Sequence, residues 1–183
     1  MFSTKGVEES KEFVSQYIKP GVGEYKITDV EATESRTGTP AIKLSIESRP
    51  LAELQNQPQK GDFTIYFSDA SRNIGLNIIQ ELGKANGFTK EQLDEVSGAN
   101  LSEYVSKIKS YLTKEFIRIK FTGEEIMNNS TGKVWVKAVL PAYRFAQSLT
   151  VDNTLTFVPA TDIKKLPVAD LDATSSADDD LPF

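Results

Sequence analysis

Between Gly23 and Asp69 apolar residues keep a two-residue period, from Ile74 to Leu112 they recur at three and four, and from Phe116 to Leu140 they alternate again. A chain patterned this way builds strands, crosses over through helices and builds strands once more. In the first block Glu24-Tyr25-Lys26-Ile27 alternates, Thr28-Asp29 breaks the register, and Val30 and Ala32 resume it, which predicts a long bent strand with a bulge. Thr37 to Pro40 is the turn, and Ala41–Glu47 is a second strand with Ile42, Leu44 and Ile46 on one face. A polar loop containing Pro50, Pro58 and Gly61 leads to a third strand, Asp62–Asp69, with Phe63, Ile65 and Phe67 inward.

In the middle block Ile74, Ile78 and Leu82 share a helical stripe that Asn86-Gly87 ends. Thr89 and Gln92 fit a capping box that opens a short second helix through Val96. Leu101, Tyr104, Val105, Ile108, Tyr111 and Leu112 form the apolar side of a third helix. In the last block Ile117, Ile119 and Phe121 face inward on a fourth strand. Gly123 to Gly132 is a polar loop, and the fifth strand, Lys133–Leu140, points Val134, Val136, Ala138 and Leu140 inward. The expected fold is mainly β with a helical insertion: a five-stranded oligonucleotide-binding (OB) barrel whose helices lie between strands three and four.

Residues 1–19 read as an N-terminal appendage, with Phe13, Tyr17 and Ile18 on one face of a helix from Glu8 to Lys19. Residues 20–158 are then the barrel, and 159–183 a disordered acidic tail. The opening residues lack a basic region followed by an apolar run, and no stretch is long enough to cross a bilayer, so a cytoplasmic protein is expected.

The 183 residues include no histidine and no cysteine, which removes the usual general base, the thiol nucleophile and the common zinc ligands. No cofactor, metal or catalytic residue is expected. Of the formal charge of −5, −4 belongs to residues 162–183, which hold six Asp and two Lys, so the body is nearly neutral and can still carry a basic groove.

Single strands are held by rings on which bases stack and by cations along the backbone. The outward positions of the predicted strands offer both: Lys43, Tyr66, Phe116, Arg118, Lys120, Trp135 and Lys137, with Lys133 beside them. Arg36 in the first turn, the loop Asn128–Thr131, and Tyr143 and Arg144 after the last strand extend this basic and aromatic set.

The chain closes on Asp178-Asp179-Asp180-Leu181-Pro182-Phe183. This acidic, apolar-ended segment resembles the tip of bacterial single-stranded DNA-binding proteins. The resemblance implies that these six residues dock replication, recombination or repair proteins and compete with DNA for the binding groove. The stretch GVGEYKITDVEATESRTGTPAIKLSIES is similar to the opening hairpin of phage-encoded single-stranded DNA-binding proteins. The long helical insertion departs from the bacterial family, whose tetramer is therefore not implied.

Two other classes compete. Glu24-Tyr25-Lys26 matches the end of a metal-dependent nuclease site, with Asp62, Asp69, Glu124 and Glu125 as further ligands, but no strand before Glu24 supplies the additional acid such a site needs. An adaptor or DNA mimic without DNA affinity accounts for the acidic charge. A mimic, however, spreads acids over its body instead of gathering them in the final residues.

Overall fold

The computed structural model describes residues 15–167. The predicted helix start at Glu8 and the tip Asp178–Phe183 lie outside the described residues.

Strand β1 (Gly21–Glu34) pairs antiparallel with β2 (Pro40–Leu51), and β2 with β3 (Gln57–Tyr66). The predicted break falls where expected, with a register shift between Ile27 and Asp29. There the Asp29 carboxylate accepts from the Val30 amide (2.8 Å), so the bulge supplies its own hydrogen-bond partner.

The loop read around Pro50 and Pro58 is mostly strand. Pro50 stands opposite Pro58 at an irregular register, so the two residues that lack an N–H share one gap in the ladder. The Ser48 hydroxyl accepts from the Gln59 amide (2.9 Å) beside that gap. The chain reverses over Ala52–Leu54, followed by Gln55 and Asn56 in left-handed conformation.

Residues 15–19 are extended, not helical. Tyr17 bridges Lys60 in parallel, the Ile18 amide donates to the Lys60 carbonyl (3.2 Å), and the Lys60 amide donates to the Gln16 carbonyl (2.9 Å). The unpaired edge of β3 outcompetes a local helix by offering these backbone groups. Ile18 is accordingly buried and Tyr17 exposed, the alternation of a strand.

Helices α1 (Arg72–Ala85), α2 (Lys90–Asp94) and α3 (Leu101–Leu112) separate β3 from β4 (Ile117–Met127). Ile78, Ile79 and Leu82 are buried on α1, while Ile74 at its start is exposed. Buried Asn86 closes the helix: its side-chain amide donates to the Leu82 carbonyl and its oxygen accepts from the Glu115 amide (both 2.9 Å), tying the helix end to the entrance of β4. Gly87 follows at φ +93°, a conformation that favours glycine. The capping box of Thr89 and Gln92 is present in both directions.

Strand β4 pairs with β1 through Ile117–Phe121 and with β5 (Val134–Val139) through Thr122–Met127. Only Asn128 to Lys133 forms the turn, shorter than the predicted loop. β6 (Ala146–Ser148) pairs with β4 over Ile117–Ile119. A single turn, α4 (Pro159–Asp162), leads to β7 (Ile163–Lys164), which pairs with β4 in parallel.

The path runs β3-β2-β1-β4-β5, so the fold is mainly β, with β3 and β5 as its two ends and no ladder between them among the described residues. Phe121 sits at the centre of the core, stacked on Phe63 (4.7 Å) and meeting the edge of Tyr25 (5.0 Å).

Two further sequence expectations are corrected. Val134 and Val136 are exposed, because the outer half of the β4–β5 ribbon projects past the elements that cover the inner half; only Ala138 on that face is buried. Packed structure also continues past Val158, the expected end of the body. Lys164 and Lys165 pair with Glu124 and Glu125, and the Leu166 amide donates to Glu125 (3.1 Å), fastening residues 159–166 along β4 as a strap. Among the described residues no helix is long and apolar enough to cross a membrane.

Candidate nucleic-acid interface

Because β3 and β5 end the path, a cleft of about 400 Å³ remains between them, lined also by Ile74 and Ile78 of α1. Asp62, Thr64 and Tyr66 contribute from β3, and Lys137 and Val139 from β5. Alternation places Tyr66 outward, 50% exposed, since Ile65 and Phe67 take the core. Trp135 shares the strand face of Lys137 and is 48% exposed, opposite Ile126 in the ladder. Both rings carry a polar group that half-exposure leaves accessible. The cleft is mixed in charge: Lys137 stands opposite Glu124, whose carboxylate also pairs with Lys164 (3.1 Å), while Asp62 accepts from the Ser45 hydroxyl (2.8 Å).

The other candidates divide into engaged and unengaged groups. Lys43 is paired with Glu31 (2.8 Å), which holds its pKa above the usual lysine value. That cation therefore serves the sheet's own outer face, where Asp29 and Asp62 also lie. Phe116 is half-buried, with the Arg49 guanidinium 4.4 Å from its ring centroid; Arg49 also pairs with Glu24. Arg118 donates to the Val151 carbonyl (3.3 Å). Lys120 pairs with Asp162 (2.7 Å) in the strap. The Lys120 ammonium is the main cause holding the Asp162 carboxyl below its usual range, and the Val158 amide donating to it adds to the effect.

Arg36, Lys133, Lys137 and Arg144 have no ion-pair partner among the described residues. Arg36 lies in the exposed β1–β2 turn and Lys133 at the tip of the β4–β5 ribbon. Tyr143 is exposed, whereas its neighbour Phe145 is fully buried.

A second pocket, about 630 Å³, opens between the end of α1 and the segment around β6. Lys84, Lys120 and Arg144 line it together with Glu81, Gln147 and Thr154. The Glu81 carboxylate accepts from the amides of Arg144 (2.8 Å) and Phe145 (3.1 Å). Sequence reading missed Lys84, which reads as an ordinary basic residue at a helix C-terminus. It also missed Asp162, grouped there with the tail.

Four acids of the nuclease reading are engaged separately, Glu24 with Arg49, Asp62 with Ser45, Glu124 with Lys164 and Glu125 with Lys165, and the fifth, Asp69, is exposed. Among the described residues no group of three or more His, Cys, Asp or Glu is placed to hold a metal ion. Comparison with protein-family models finds no match, and neither does comparison with curated proteins.

Proposed function

We propose that this protein binds single-stranded DNA largely without sequence preference, on an OB-type barrel whose closing side is the β3–β5 cleft. The observation that carries the reading is the placement of Tyr66 and Lys137 on the two strands of one cleft, with half-exposed Trp135 next on the face of Lys137. Rings held at strand positions can accept any base, because every base has a stacking face. Lys133 and Lys137 bracket Trp135 and supply unengaged cations for adjacent phosphates. The order of three strands, helices and two strands, with β1 pairing both β2 and β4, agrees with such a barrel. On the same reading the protein works in DNA replication, recombination or repair, and Asp178–Phe183 recruits partner proteins.

The test is a titration of Trp135 fluorescence with single-stranded and double-stranded oligonucleotides at several salt concentrations. Quenching by the single strand, weakening steeply with salt and much smaller for the duplex, is expected. Silence in fluorescence together with no retention in filter binding would sink the proposal and favour an adaptor that displays the tail.

A further inference from the structure

We infer that the pocket between the end of α1 and β6 is a phosphate-binding site made by Lys84 and Arg144. Lys84, Lys120 and Arg144, from separate elements, line one 630 Å³ opening together with Glu81, and Lys84 and Arg144 have no ion-pair partner among the described residues. Arg144 holds φ at +51°, a region that residues bearing a Cβ seldom adopt. Glu81 fixes it there by accepting from two successive amides, and Phe145 anchors the next position in the core. Glycine would occupy this conformation without strain, so an arginine held in it points to a use for the guanidinium.

Lys120 is already paired with Asp162 (2.7 Å), so the charge left for a phosphate is that of Lys84 and Arg144, set against the Glu81 carboxylate that the Arg144 and Phe145 amides hold. The Gln147 side chain donates to the Thr154 hydroxyl and accepts from the Thr154 amide (3.2 Å), which firms the opposite wall. The ligand chemistry is a phosphate, either a diester of a bound strand or a free phosphate compound. The diester source rests on the single-strand reading above; the site itself does not.

The experiment uses the full chain and the pair Lys84→Gln and Arg144→Gly. The glycine substitution removes the guanidinium while easing the backbone, so thermal stability should hold or rise. Binding of an oligothymidylate is measured against salt. The double variant should show a log–log slope shallower by about 1.4, at about 0.7 per cation lost from a single strand. A control of equal charge, Lys19→Gln with Lys114→Gln, should leave the slope in place. An unchanged slope in the first variant, or an equal drop in the control, overturns the diester source while leaving the single-strand reading intact. In that case, or if the wild type binds no oligonucleotide, pyrophosphate titrated into isotope-labelled protein decides. Shifts at the Gln147 amide that vanish in the double variant establish a free-phosphate site, and absence of shifts in the wild type overturns the site.

Discussion

Lys120 on β4 and Asp162 in the strap form an ion pair, Nζ to Oδ1 2.7 Å, in which only 19% and 14% of the two side chains remain exposed. It is the least exposed ion pair among the described residues. It fixes α4 to the strand that also joins β1, β5 and β6.

Asp162→Asn should therefore loosen the strap. Losing a charged hydrogen bond costs about 1.5–3 kcal/mol, and exchange protection at the Val158 amide, which donates to the same carboxylate (2.7 Å), should fall. Hydrogen exchange at neutral pH measures this; unchanged protection means that other contacts hold the segment.

Acid should act on the same region. The Asp162 carboxyl is lowered mainly by Lys120, and that of Glu125 mainly by Lys165. A lowered folded pKa gives stability that is fully present above the unfolded carboxylate value and lost as pH falls through the folded one. Strap protection should hold at pH 6 and decline below about pH 4. Exchange rates corrected for intrinsic pH dependence would show it.

Trp135→Ala tests the stacking role directly. Single-strand affinity should drop by about 1–3 kcal/mol, the worth of one stacked base. Because the ring is half-exposed, unfolding stability should move by no more than about 0.5 kcal/mol. Anisotropy of a labelled oligonucleotide and a denaturant melt separate the two effects.

Phe121→Ala probes the centre of the barrel reading. The ring is fully buried between Phe63 and Tyr25, so its loss should cost about 3–5 kcal/mol. A denaturant melt with a shift below 1 kcal/mol would mean that the core closes over the gap.

Tyr25 and Tyr104 should ionise later than a free tyrosine, since burial raises both phenols. Their contribution to stability is complete below the usual tyrosine value near pH 10 and is lost as pH rises through the raised folded value. Absorbance at alkaline pH should show a delayed fraction that merges with the rest once the protein is unfolded in urea.

Much of the scaffold was readable because alternation reports burial. Ile42, Leu44 and Ile46, then Ile117, Ile119 and Phe121, point inward as their spacing requires, and the Thr28–Asp29 break marks a real register shift. The same rule failed at Val134 and Val136, since alternation cannot say how far along a ribbon its cover extends. Prolines hid the outer β2–β3 hairpin, because Pro50 opposite Pro58 is a property of pairing and not of either residue. For the site, outward position was legible for Tyr66 and Trp135. Ownership of the cations was not: Lys43 and Lys120 answer to Glu31 and Asp162, partners distant in sequence that only folding brings close.

The order Lys133-Val-Trp-Val-Lys137 along β5 also sets what can rest against that arm. A second copy laid antiparallel and centred on Trp135 would bring each lysine against a lysine, so that register carries a charge penalty. A polyanion laid along the same residues would meet none.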